Sequence, residues 1–167
     1  MASHLNELGL WHLQRKAYTQ AEALMAQALA IVEEKNALSL ETARIVANLA
    51  QMNEARQNTE PAVALFRKAL GIYESHGDVP EALLGQAQAL NFMAGQDYRR
   101  RRFAQAEQQF LRALALTERA DGPQSPRLLP LLDNLVALYR SQQREVQAAP
   151  YAIKAEQIRQ LEPKAVY

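Results

Sequence analysis

The sequence predicts an all-α protein, a solenoid of four antiparallel helix pairs. Three observations support this class: apolar residues recur at helical spacing, one segment pattern occurs four times, and only 6 of the 167 residues are Gly and 7 are Pro. The matching segments begin at Tyr18, Thr59, Phe103 and Glu145. Their shared alanines, which stand 41, 44 and 42 residues apart, are Ala28, Ala69, Ala113 and Ala155.

A second type of segment precedes each of these and also recurs. Its copies begin at Leu5, Val46, Leu90 and Leu132. Each repeat therefore contains a first helix, a short turn and a second helix. We expect one domain over residues 1–160, with repeats at about 3–35, 39–76, 79–121 and 125–160, followed by a C-terminal tail over 161–167.

Polar residues mark the expected starts of two second helices. Thr19 followed by Glu22 has the spacing of a capping box, in which each side chain bonds a free backbone N–H at the helix start. Thr59 is the expected cap of the next second helix, and Pro61 falls in its first turn, where the missing N–H is harmless.

Glycine and proline mark the joints between repeats. Gly77 and Gly122 stand where helices are expected to end, because glycine readily adopts the left-handed conformation of a helix terminus. Pro80 is expected to open the third first helix, and Ser125 with Pro126 the fourth. The joint between repeats two and three also absorbs the longer step of 44 residues, since loops tolerate length changes.

Residue size predicts how the helices pack. Small residues stand where two helices would approach most closely, at Gly9, Ala21, Ala50, Ala62, Ala94 and Ala106. Larger residues would fill the space between repeats, at Met25, Leu29, Phe66, Leu70, Phe110 and Leu114. The fourth repeat has Ala152 and Glu156 at two of these positions, and a charge there predicts a polar end cap.

The first helix has little sequence before it. Its apolar residues Leu5, Leu8 and Trp11 are therefore expected to be poorly covered, with fast amide exchange or self-association as the result. A longer chain, or a leader that has been removed, would explain the short start.

Composition excludes several classes of function. The chain has no Cys, and His4, His12 and His76 show no metal-ligand spacing, so we expect no metal, no cofactor and no catalytic site. A net charge of +1 gives no global attraction for nucleic acid, and no apolar run is long enough to insert into a membrane. We expect a soluble protein of the cytoplasm, and a periplasmic or secreted location stays open if a leader was removed.

The run "YRRRRF" over residues 98–103 is the one dense basic segment. It closes a helix, where cations are favoured by the negative end of the helix dipole, and its arginines fan around the helix instead of sharing a face. A solvated helix end is the favoured interpretation, and a surface for nucleic acid or an acidic partner is the alternative.

The motifs "LDNLVALYRSQQREVQAAP" (132–150), "RFAQAEQQFLRALAL" (102–116) and "DGPQSP" (121–126) resemble tetratricopeptide repeats of the kinesin-light-chain type. The family consensus is similar to "LNNLAxLYxxxGKYxEAExLxxRALxI", and the resemblance covers roughly residues 5–160. It implies a right-handed superhelix whose first helices line a concave face. The consensus Tyr that ends the first helix occurs only as Tyr139; His12, Asn53 and Asp97 replace it in the other repeats.

The resemblance implies a peptide-binding groove on the first helices. Its residues would be Asn6, Arg44, Asn48, Gln51, Asn91, Phe92, Tyr98, Arg99, Asn134 and Arg140. An Asn carboxamide offers both a donor and an acceptor to a ligand peptide bond, although it could instead only satisfy neighbouring groups of the protein. We therefore expect a non-catalytic scaffold that binds a protein or peptide segment. The alternatives are a regulatory or sensor module of a larger signalling protein and a self-assembly module that forms homo-oligomers through the N-terminal repeat.

Overall fold

The computed structural model describes residues 1–161, which form eight α-helices and one short 3-10 turn and contain no β-strand. The helices are α1 (Ala2–Gln14), α2 (Tyr18–Asn36), α3 (Leu40–Ala55), α4 (Thr59–Glu74), α5 (Pro80–Arg99), α6 (Phe103–Asp121), α7 (Leu129–Ser141) and α8 (Glu145–Leu161), and the 3-10 turn is Pro126–Leu128. The all-α prediction is confirmed, and the helix pairs lie close to the four predicted repeats. Of the predicted tail, residues 162–167 lie outside the described part of the chain.

The chain divides into two compact units, residues 1–89 and the residues from 90 onward. The boundary falls within α5, so the first ten residues of that helix belong to the first unit. Each unit therefore has its own packed helices and its own core. The expectation of a single domain over residues 1–160 stays a prediction.

Small residues permit the close helix contacts that the sequence predicts. All six predicted positions, Gly9, Ala21, Ala50, Ala62, Ala94 and Ala106, are buried. A Cβ atom on Gly9 would lie 2.7 Å from Cγ of Met25 and 3.3 Å from the carbonyl oxygen of Ala21. The close approach of α1 and α2 therefore requires a residue without a side chain at this position.

The larger predicted residues differ in how deeply they lie. Met25, Phe66 and Phe110 are almost fully buried, whereas Leu29 and Leu70 are only half-buried. Leu114 is 8% exposed and also belongs to the core. The phenylalanines therefore contribute more to the core than Leu29 and Leu70.

The polar end cap predicted for the fourth repeat is confirmed at Glu156 only, because α8 also exposes the apolar side chains of Val146, Ile153 and Leu161. Glu156 is exposed, and Ala152 is half-buried. Hence α8 presents a charged side chain where the other second helices have leucine, and the carboxylate keeps its hydration.

The turns inside the four pairs share one geometry, the Schellman motif, in which backbone N–H groups past the helix end bond back to helix carbonyls. The left-handed residue in each turn is not glycine: Lys16, Gln57, Arg101 and Gln143 have φ between 58° and 62°. The N–H groups that follow them bond to the carbonyls of His12, Asn53, Asp97 and Tyr139 at 2.8–2.9 Å. The family consensus has glycine at this position, so all four turns carry a conformational cost.

Replacing Gln143 by glycine is expected to stabilise the protein by about 0.5–1 kcal/mol, because glycine removes the left-handed strain but adds entropy to the unfolded chain. Gln142→Gly is the matched control, since Gln142 has φ −104° and gains nothing from glycine. Urea unfolding of the two variants and the parent measures the difference. An unchanged or lower stability of Gln143→Gly would contradict the proposed strain.

Two predicted caps are wrong. Neither α2 nor α4 has a side-chain cap, since their flanking residues are Ala17 and Asn58 and neither makes a capping bond. The Schellman turn leads directly into each second helix, so Thr19 and Thr59 lie inside the helices rather than ahead of them.

The predicted joints between repeats are confirmed. Gly77 and Gly122 have φ values of +62° and +87°, and α5 begins at Pro80. Ser125 accepts a bond from the backbone N–H of Arg127 and opens the 3-10 turn before α7. A further cap was not predicted from the sequence: Ser39 Oγ accepts a bond from the N–H of Thr42 at the start of α3.

Candidate functional site

The first helices of the first unit are linked by a carboxamide pair. Asn48 on α3 donates from Nδ2 to Oδ1 of Asn6 on α1 at 2.9 Å, and both residues are buried. The sequence places both residues in the binding groove, and the structure brings them together. Each amide thus satisfies one group of the other.

The second unit repeats this arrangement. Asn134 on α7 donates from Nδ2 to Oδ1 of Asn91 on α5 at 2.8 Å, and both residues are half-buried. The two partners stand 42 residues apart along the chain in the first pair and 43 in the second, which is close to the length of one repeat. The same side-chain link therefore joins successive first helices in each unit.

Each pair leaves a donor and an acceptor unused. Within residues 1–161, Nδ2 of Asn6 and Oδ1 of Asn48 make no hydrogen bond, and the same holds for Nδ2 of Asn91 and Oδ1 of Asn134. In that part of the chain, Oε1 of Gln109 is the one side-chain atom that is both fully buried and without a hydrogen-bond partner. The four unbonded Asn atoms are therefore not fully buried. Each pair thus keeps one donor and one acceptor that no other group of the described residues occupies.

Charged and polar side chains lie on the same helices. Arg44 is exposed on α3, 4.0 Å from a carboxylate oxygen of Glu81, and Gln51 is half-buried one turn beyond Asn48. Arg140 is exposed on α7 and pairs with Glu145 at 3.3 Å. These side chains are accessible, and their ion pairs are weak enough in solvent to be exchanged for a ligand.

Phe92 does not lie where the sequence interpretation places it. The sequence interpretation makes it an aromatic contact of the groove, but its side chain is 8% exposed and belongs to the core. Tyr98 is half-buried, with its ring 5.8 Å from that of Phe103, and Arg99 is exposed. Of the two predicted aromatic residues, Tyr98 is therefore the more accessible.

Two polar networks at the ends of first helices were not predicted. Asp97 is buried, pairs with Arg102 at 2.6 Å and accepts a bond from Gln109 at 3.0 Å. Glu107 holds Arg144 at 2.7 Å and accepts a bond from the hydroxyl of Tyr139 at 3.0 Å. The hydrogen bond from Arg144 is the main reason that the pKa of Glu107 is lowered. The pKa of Tyr139 is raised by burial and by its hydrogen bond to Glu107. The first network joins α5 to its second helix α6, whereas the second joins α6 of the third repeat to α7 of the fourth.

One face of α1 is uncovered. Leu8 and Trp11 are 46% and 47% exposed, whereas the equivalent residues of the second repeat, Leu49 and Met52, are 7% and 0% exposed. In the second repeat these positions belong to the core that α2 and α3 share. The exposure of Leu8 and Trp11 agrees with the expectation for the N-terminal repeat.

Two classes of site have no support in the described part of the chain. Residues 1–161 contain no cluster of three or more His, Asp or Glu side chains arranged to hold a metal ion. None of the helices in that range combines the length and the apolar character that crossing a bilayer requires.

Residues 1–75 and 85–160 match the family model of the tetratricopeptide repeat. The chain belongs to the tetratricopeptide repeat family. Members of this family are generally non-catalytic scaffolds for protein interactions. Among curated protein sequences, none matches the chain significantly.

Solved structures show the same fold, and kinesin-light-chain-like proteins are among them. BtubC (BKLC) from P. vanneervenii matches with a TM-score of 0.82 and 24% identity, over 98% of this chain and 64% of that chain. A Podosopora anserina protein, described as a kinesin light chain with nearly identical TPR-like repeats, matches with a TM-score of 0.74 and 15% identity over 98% and 77% of the two chains. PilF of Pseudomonas aeruginosa has a TM-score of 0.63 and 20% identity over 99% and 63%. The tetratricopeptide chain thus spans less than two thirds of the length of BtubC and PilF.

Proposed function

We propose that the protein is a non-catalytic scaffold that binds an extended peptide or protein segment on its first helices. The observation that carries this proposal is the carboxamide pair, which occurs in both units with the same geometry. In each pair one amide nitrogen and one amide oxygen are available, and a peptide bond needs one partner of each type. A ligand backbone that bonds to a pair would be held in a fixed register.

The neighbouring charges favour a ligand of mixed character. Arg44 and Arg140 add positive charge on the helices that carry the pairs, and Glu7 adds an exposed negative charge on α1, whereas Asp133 is paired with Arg159 at 2.7 Å. Tyr98 supplies a half-buried aromatic ring, and aromatic residues are enriched among energetically important interface contacts. A peptide with both charges and an apolar anchor fits these groups.

Asn48→Ala is expected to abolish binding of a peptide selected from a phage-displayed random library. It is also expected to lower the free energy of unfolding by about 1 kcal/mol, because Asn6 loses its partner. Isothermal titration with the selected peptide and urea unfolding measure the two effects.

Asn53→Ala is the matched control, because Asn53 lies on the same helix, is equally buried and bonds only the carbonyl of Leu49 within its own helix. This variant should lose stability but keep peptide affinity. If Asn48→Ala also keeps its affinity, the carboxamide pair is only structural and the proposed face is wrong.

Self-association is a second candidate function, favoured by the uncovered face of α1. A second copy that covered Leu8 and Trp11 would bury apolar surface that the other repeats already bury. Analytical ultracentrifugation of the parent and of Leu8→Glu tests self-association, with Leu38→Glu as the control because Leu38 is also exposed. A parent that stays monomeric at every concentration excludes this function.

A further inference from the structure

The small net charge of the chain conceals opposite charges on its two units. Residues 1–89 contain 7 Lys or Arg and 10 Asp or Glu, whereas residues 90–161 contain 11 and 7. The positive excess of the second unit is concentrated in the turn between α5 and α6, where Arg99, Arg100, Arg101 and Arg102 are consecutive and all exposed. We call these four residues the arginine turn.

Most acidic side chains of the second unit are already paired with a base. Six of its seven described carboxylates lie within an ion pair, and Glu156 is the exception. The paired carboxylates are Asp97, Glu107, Glu118, Asp121, Asp133 and Glu145. The unit therefore has little negative charge left to neutralise the arginine turn.

Two guanidinium groups of the arginine turn have no partner. Arg102 is held by the buried carboxylate of Asp97 at 2.6 Å. By contrast, the side chains of Arg99 and Arg101 make no ion pair and no hydrogen bond within residues 1–161. Arg101 is also held in a left-handed conformation, with φ 58°, by the Schellman motif of the turn. Its position is thus fixed by the backbone, although its charge is unused.

A shallow, open hollow lies beside Arg101. Its volume is about 460 Å³, and it is lined by Arg101, Arg102, Phe103, Ala104 and Gln105. The last three residues are the first turn of α6, which has no side-chain cap. Both the arginines and the uncapped N–H groups favour a negatively charged group in this hollow.

We propose that the arginine turn is a docking surface for an acidic peptide segment of a partner protein, separate from the carboxamide pairs of the first helices. Carboxylates of the segment would pair with Arg101 and Arg99, and one of them would lie over the first turn of α6. Arg102 would stay bound to Asp97 and keep the turn in place.

The size of the surface favours an acidic peptide over nucleic acid. Only Arg99 and Arg101 have unused charges, whereas proteins that bind duplex DNA commonly neutralise about 6–10 phosphates. A short segment with a few carboxylates is enough to pair with the two arginines.

The test is fluorescence anisotropy with a short fluorescein-labelled peptide in which glutamate and glycine alternate. The parent should bind it, and the affinity should fall as salt is added, because the contacts are exposed ion pairs. Arg101→Glu should weaken binding by at least about tenfold, since it places a like charge in the hollow. Arg101→Gln should have a smaller effect in the same direction.

Lys16→Glu is the matched control, because Lys16 has the same left-handed conformation, with φ 59°, in the equivalent turn of the first unit. It changes the net charge of the chain by the same amount and should leave peptide binding unchanged. The proposal is overturned if Lys16→Glu weakens binding as much as Arg101→Glu, since the attraction is then general. It is also overturned if Arg101→Glu binds like the parent, or if the parent binds a single-stranded oligonucleotide in preference to the peptide.

Discussion

Phe66→Ala is expected to lower the free energy of unfolding by about 3–5 kcal/mol. The Phe66 side chain is 1% exposed in the first unit, so its removal leaves a cavity that the rigid helices around it cannot fill. Urea unfolding followed by circular dichroism measures the loss.

Phe103→Ala is the control for this prediction, because Phe103 is only half-buried at the start of α6. Its truncation should cost clearly less. Equal losses for the two variants would mean that Phe66 does not contribute to the core as its burial indicates.

Gly85→Ala is expected to destabilise the protein by about 3 kcal/mol, at the upper end of the usual cost of overpacking a core. A Cβ atom on Gly85 would lie 2.3–2.7 Å from three carbons of the Tyr73 ring. That ring is buried, so it has little freedom to move away. Its burial also raises the pKa of the hydroxyl to about 12.

Gly95→Ala is the matched control on the same helix, since nothing lies within 4 Å of a Cβ at Gly95. It should stabilise the protein by about 0.5–1 kcal/mol through the higher helix propensity of alanine. The double variant Gly85→Ala with Tyr73→Ala should lose less than the sum of the single losses. Additive losses would show that the close contact with Tyr73 is not the cause.

The sequence was sufficient to predict the helices because each repeat carries the same spacing of apolar and small residues. Gly9 and Ala21 are predicted contacts that the structure confirms, since only small residues fit between two close helices. The turns inside the pairs were harder to predict, because Lys16 and Gln57 do not favour a left-handed conformation, whereas glycine adopts it readily. The false caps at Thr19 and Thr59 have the same origin.

The candidate site was only partly predictable. The family resemblance placed Asn48 and Phe92 on the same surface, but the Phe92 ring lies in the core. The bond between Asn48 and Asn6 depends on how two helices are positioned along their axes, which a repeat spacing near 42 residues suggests but does not determine. Similarly, the arginine run is visible in the sequence, whereas the ion pair between Arg102 and Asp97 is seen only in the structure.

The carboxamide pairs also bear on how such a chain avoids assembling incorrectly. Repeats with similar sequences present similar apolar faces, so a helix that slides along its neighbour by one turn loses little apolar contact. A slide of α3 along α1 would separate Asn48 from Asn6 and leave buried carboxamide groups without their partners, at a cost of about 1–3 kcal/mol for each. The pair thus favours the native alignment of α1 and α3 over shifted alignments during folding.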